Sequence, residues 1–188
     1  MHNVFVGPLI QEKSNVFIQA AWIVFFAMLT SVGAQVEIPH QPVPYTLQTF
    51  FVLLGAAFLG SRNGSISQLL YLGIGLAGGP VFSGGSFGLA KLIGPSGGYL
   101  LSFPLAAVVA GYIVQRHQGY FWTLAGMFLG LVVVFTCGAL YLNFVYLHNT
   151  SESIVSGFLI FSWWDLLKLT AAAAIYNEFA RRYRRLPS

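Results

Sequence analysis

Six apolar stretches, separated by short segments that hold prolines, glycines and charges, constrain this chain more than any other feature. They cover residues 15–36, 45–60, 65–79, 95–116, 119–147 and 162–180. The first contains no Asp, Glu, Lys or Arg. A helix that crosses a bilayer needs about 20 apolar residues, because hydrocarbon forces every backbone N–H and C=O to bond within the segment. Six crossings use roughly 120 residues of the 188, which leaves short loops and no room for a soluble domain. Composition decides the matter: hydrophobic residues make up 56% and charged ones only 7%, where a soluble domain carries about 25% charged residues. A soluble globule is excluded, and a disordered chain has the opposite balance.

The expected fold is an all-α integral membrane bundle of six transmembrane helices with short loops and both termini cytoplasmic. It forms a single membrane domain over residues 1–188. Residues 1–14 read as a short interfacial segment and not as a signal peptide, since Glu12 and Lys13 precede the apolar run and no small-residue cleavage site is present. Residues 181–188 read as a basic cytoplasmic tail. With the N-terminus inside, Lys13, Arg62, Arg116, Arg181, Arg182, Arg184 and Arg185 are all cytoplasmic. That is seven of the nine basic residues, as the excess of cations on the inner side requires. Lys91 and Lys168 alone are left on the outer half.

The segments between spans carry their own signals. Residues 37–44, EIPHQPVP, hold three prolines, each lacking an amide donor, and must form a loop. SRNG at 61–64 reads as a tight turn carrying Arg62. Pro104 predicts a kink in the fourth span. The stretch 80–94, PVFSGGSFGLAKLIG, is too broken for a plain helix. Such backbone survives at membrane depth only when buried in protein or lining a cavity, so this segment is expected to cap or line a site on the outer side.

Ionisable groups within a span are costly and usually face a bundle interior or an aqueous cavity. Asp165 and Lys168, in WWDLLK, lie three residues apart and share one face of the sixth helix. One reading is a polar ligand site, with Lys168 attracting an anionic group and Asp165 accepting N–H donors. The other is a mutual ion pair with Lys168 snorkelling outward. Lys91 is the second outer cation. Trp163 and Trp164 fit an interfacial belt, or aromatics near Asp165 wall an apolar pocket.

Other patterns argue against further chemistry. Gly73, Gly75 and Gly78 match G-x-G-x-x-G, yet no acidic residue follows until Glu152 and the motif lies in a span, so helix packing is the better reading. The same reading fits Gly126 and Gly130. No P-loop occurs. His2, His40, His117 and His148 are scattered over the ends of different spans, which argues against a metal cluster. No nucleophile–base pair suggests an enzyme. Cys137 is the one cysteine and reads as a small apolar side chain.

The stretches LTSVGAQVEIP (29–39), VPYTLQTFFVLLGAAFLG (43–60), SQLLYLGIGLAGGPVFSGG (67–85), LIGPSGGYLLSFPLAAVVAGYI (92–113) and WWDLLK (163–168) resemble the BioY family. The GPSGGYL and FPLAA runs are the most specific. The resemblance implies a six-helix substrate-binding S-component of an energy-coupling factor (ECF) transporter, which captures biotin at the outer face of a bacterial-type cell membrane and delivers it inward. It implies as partners a transmembrane coupling subunit and two cytoplasmic ATPase subunits, which use the ATP; no cofactor is expected in this chain, and no nucleic acid. The site it implies rests on Asp165 and Lys168, with Gln48, Gly97, Gly98 and Tyr99 inside the matched motifs. Lys91 offers a second cation for the biotin carboxylate. The chain departs from the family pattern in two places. Trp163-Trp164 precede Asp165 where the family shows Pro-Gly. The small residues expected on the docking face of the first helix fall in register at Val24 and Met28. An S-component for another small anionic vitamin, or a non-transporting membrane subunit, is the alternative.

Overall fold

The computed structural model describes residues 16–153, 155 and 163–182. The interfacial segment at 1–14, Lys13, and the tail beyond Arg182 with Arg184 and Arg185 lie outside the described residues. Helix α1 (Val16–Gln35) makes the first crossing. Two short strands follow, β1 (Glu37–Ile38) and β2 (Tyr45–Thr46), paired antiparallel with Glu37 opposite Thr46 and Ile38 opposite Tyr45. The prolines of 37–44 thus fall in the loop of a hairpin, beyond the ladder where their missing donors matter.

Helix α2 (Gln48–Leu76) is two helical arms joined at Gly60, whose φ of 79° and ψ of −179° are not helical. The arms run antiparallel. A Cβ on Gly64 would lie 3.0 Å from the Cα of Ala56, and Gln48 at one end bonds Tyr71 near the other. These arms are the second and third crossings. The reversal therefore takes one residue, and 61–64, expected to be a turn, are already helical. The cause lies in another helix. Gln115 Oε1 accepts from the Ser61 amide (3.3 Å) and the Ser61 hydroxyl (3.1 Å). An amide that the start of a helix leaves unpaired is thereby satisfied without a polar turn. A side chain at Gly60 would fall on the Gln115 amide.

After a one-turn 3₁₀ segment (Ser83–Gly85) and the short α3 (Leu89–Ile93), α4 (Gly97–Arg116) runs through Pro104 as one helix. Helix α5 (Tyr120–Tyr141) continues into a π-helical turn (Leu142–Leu147), and His148 ends it in the left-handed region. The short α6 (Thr150–Ser153) and α7 (Trp163–Arg182) complete the chain as described. Helix α4 packs between α2 and α5, α1 lies on α2, and α7 closes against α2 and α5. Small residues set the α4–α5 distance: Gly126 faces the Ala110 carbonyl and Gly130 the Ala106 carbonyl, the close approach expected between spanning helices. Of the three glycines in GIGLAG only Gly75 serves packing, against the Phe82 ring. Gly73 meets nothing, and Gly78 stands past the helix end with φ 99°.

Helices α1 and α4, and α5 with its π-helical turn, are each long and apolar enough to cross a membrane. The arms of α2 and α7 complete the six crossings. An even number puts Val16 and Arg182 on one side. Arg62, Arg116, Arg181 and Arg182 are exposed at that same end, which marks it as the inner one.

Candidate ligand-binding site

At the opposite, outer end, β2 and the outer ends of α2, α4, α5 and α7 surround a cavity of about 610 Å³, counted out to its mouth. Its polar corner is built by Asp165 and Lys168 on the first turns of α7. Their side chains are 3% and 6% exposed. Lys168 Nζ lies 2.6 Å from Asp165 Oδ1 and donates to the Thr46 carbonyl and to Thr49 Oγ1, each at 3.0 Å. The i,i+3 pair is thus both an ion pair and part of the cavity wall, and Lys168 points inward and does not snorkel. Burial of two charges is tolerated here because each is paired and hydrogen-bonded.

Gln48, also buried, lines the cavity at the head of α2. The opposite wall is apolar: Tyr99, Leu100 and Phe103 from α4, Val134 and Phe135 from α5. Tyr99 and Phe135 meet edge to face at 6.1 Å, a favoured aromatic geometry. Tyr99 can sit there because α5 has a glycine opposite; a Cβ on Gly138 would collide with its ring.

The remaining residues expected at the site take other places. Gly97 and Gly98 do not line the cavity. A Cβ on Gly98 would strike Tyr141 and one on Gly97 the Leu92 carbonyl, so both let the first turn of α4 approach α5 and α3. Lys91 lines a shallow outer depression with Glu37, His40 and Gln41. That depression adjoins the cavity through Pro44 and Ser83, which border both. Trp164 is half-buried, and the Trp163 side chain lies outside the described residues. Among the described residues no group of His, Cys, Asp or Glu could hold a metal ion.

Sequence reasoning missed several lining residues: Val43 to Thr46, Thr49, Ser83, Ser96, Phe103 and Phe135. A signal for Thr46 and Thr49 was present, since YTLQT places three polar side chains at the head of an apolar span. The phenylalanines carry no such signal among 17 in the chain. Two tyrosines aside, the only ionisable groups in the lining among the described residues are Asp165 and Lys168, which neutralise each other. Such a lining suits a small molecule with polar ends and an apolar middle.

A family model described as the BioY family matches residues 10–185. The chain is 42% identical over 150 residues to a biotin transporter BioY of Thermotoga maritima, covering 80% of this chain and 88% of that one. It is 31% identical over 175 residues to a biotin transporter BioY of Rhizobium etli, covering 87% and 93%. Its fold is similar to a 2.1 Å crystal structure of the S-component for biotin from an ECF-type ABC transporter. The TM-score is 0.82 at 25% identity, over 92% of this chain and 96% of that one.

Proposed function

Because the chain belongs to the BioY family, we propose that the outer cavity is where it captures biotin, and that Asp165 and Lys168 recognise the ligand there. The chain is a biotin-specific S-component, a multi-pass protein of the cell membrane, and a transporter rather than an enzyme. The observation that carries the site assignment is the buried Asp165–Lys168 pair opening on a cavity whose other wall is aromatic.

Biotin matches that lining in kind. Its ureido group has two N–H donors and one acceptor, its thiophane ring and chain are apolar, and its carboxylate is anionic. Asp165 accepts, Lys168 donates, and Tyr99, Phe103 and Phe135 provide apolar contact. Gln48 offers both a donor and an acceptor. Lys91, outside the cavity proper, stands where an anion would pass on its way in. Gly97 and Gly98 contribute by letting Tyr99 reach its place. We assign the energy for delivery inward to a transmembrane coupling subunit and two cytoplasmic ATPases. Val24 and Met28 are exposed on α1, whereas Ala27 is fully buried, so the lipid-facing side of α1 offers bulky side chains to a coupling subunit.

Calorimetric titration of the purified chain, stripped of co-purified ligand, tests the assignment. One-site biotin binding is expected. Asp165→Asn and Lys168→Ala should each weaken it roughly 100-fold, since breaking a buried charge pair costs about 3–5 kcal/mol, only part of which falls on the ligand. Unchanged affinity in both variants would remove the pair from the site. Displacement by a different anionic vitamin at equal concentration would reassign the ligand.

A further inference from the structure

Two irregular segments roof the cavity. One is β2 with the residues leading into it, Val43 and Pro44; the other is the loop after α2, which sends Ser83 to the lining. No element of secondary structure joins them. A hydrogen-bonded chain does. The Thr46 hydroxyl donates to Gln48 Oε1 at 2.8 Å. Gln48 Nε2 donates to the Tyr71 oxygen at 2.5 Å. The Tyr71 hydroxyl donates to the Val81 carbonyl at 3.3 Å. Thr46 in turn gives its own carbonyl to Lys168. Tyr71 sits at the middle of this chain on the second arm of α2, fully buried, yet it is not among the cavity's lining residues.

The ring of Tyr71 holds the same loop by packing. Phe82, fully buried, meets it edge on at 5.5 Å and fills the notch above Gly75. A second tie exists farther out. Gln35 Nε2 donates to the Phe82 carbonyl and its Oε1 accepts from the Gly85 amide, each at 3.1 Å. Gln35 is exposed, so water replaces those bonds at little loss, whereas water does not reach the Tyr71 hydroxyl in the closed fold.

We propose that Tyr71 is a positioning residue that locks the two roofing segments together and thereby sets how long the ligand stays. This rests on the reading that the cavity takes biotin. Removing the hydroxyl leaves the Val81 carbonyl and the Gln48 amide without this partner while the roof is shut. The buried Gln48 amide regains a partner from water when the roof opens, so the closed state loses population. Escape quickens. Entry proceeds through the same open state, so it is not slowed and gains at most the same factor.

The test uses the full chain in lipid nanodiscs. In Tyr71→Phe the release of labelled biotin should quicken about tenfold, the factor that goes with one buried bond, with association unchanged or quickened by no more than the same factor. Combined with Gln48→Met, the Tyr71→Phe effect on release should largely vanish, because the chain is already broken. Without ligand, backbone amides at 81–86 should exchange faster in Tyr71→Phe. Unchanged release, independent effects of the two substitutions, or unchanged exchange at 81–86 would each overturn the proposal; a merely structural role would lower the melting temperature and leave release alone. Should Tyr71→Phe fail to fold, exchange at 81–86 in unliganded Gln48→Met carries the test, expected faster and refuting if unchanged. If the parent chain does not bind biotin, the ligand assignment fails on that result alone, and the exchange comparison still decides whether the latch exists.

Discussion

An ammonium group has three protons, and Lys168 has three acceptors within reach: Asp165, the Thr46 carbonyl and the Thr49 hydroxyl. A ligand oxygen must share or displace one of them, which fixes where a partner can approach. Among the described residues Lys91 has no such constraint. It lies in the outer depression, where its charge acts on an approaching anion at a distance. Lys91→Ala should therefore slow biotin association a few-fold at low salt, with the difference fading as salt screens it, and leave dissociation unchanged. Stopped-flow measurement across ionic strengths checks this, and faster dissociation would place Lys91 against the bound ligand. The charged pair was legible in the sequence because an acid and a base inside an apolar helix are rare. Tyr71 was not. One tyrosine among nine in an apolar context gives no local sign that it will meet Gln48 from a helix arm 23 residues away.

Among the elements, the apolar runs were readable to within a few residues, since spanning length and hydropathy are local properties. Two features were not. Strands β1 and β2 have two residues each, too few for any alternation to show. The turn between the arms of α2 was expected at SRNG, which has the right residue types, but the reversal comes at Gly60 because Gln115 reaches in from α4. A cap supplied from 54 residues downstream in the chain leaves no trace in local composition. Gly60→Ala should show how much rests on this point. It sets a Cβ both on a left-handed φ of 79° and on the Gln115 amide, and destabilisation of about 2 kcal/mol or more is expected. Thermal unfolding in detergent measures it. Arg62→Ala, exposed two residues away, serves as the control and should stay within about 0.5 kcal/mol.

For the whole molecule, orientation follows from the arginines gathered at one end. In a Cys137→Ala background, Phe87→Cys in the outer segment before α3 should react with an impermeant thiol reagent applied to intact cells. Phe121→Cys at the opposite end should react only after permeabilisation; both native side chains are well exposed, at 58% and 72%. The reverse pattern would invert the assignment. Depth matters as much as direction. The lining stops at Phe103 and Phe135. Below them Ala106, Ala107 and Ala110 are fully buried, and Gly130 brings α5 onto the α4 backbone. The chain is a cup and not a pipe. A cup trades its contents with one compartment at a time, so each molecule carried across requires the opening to face the other compartment once. A variant that spills faster to the outside therefore empties the cup without filling the cell.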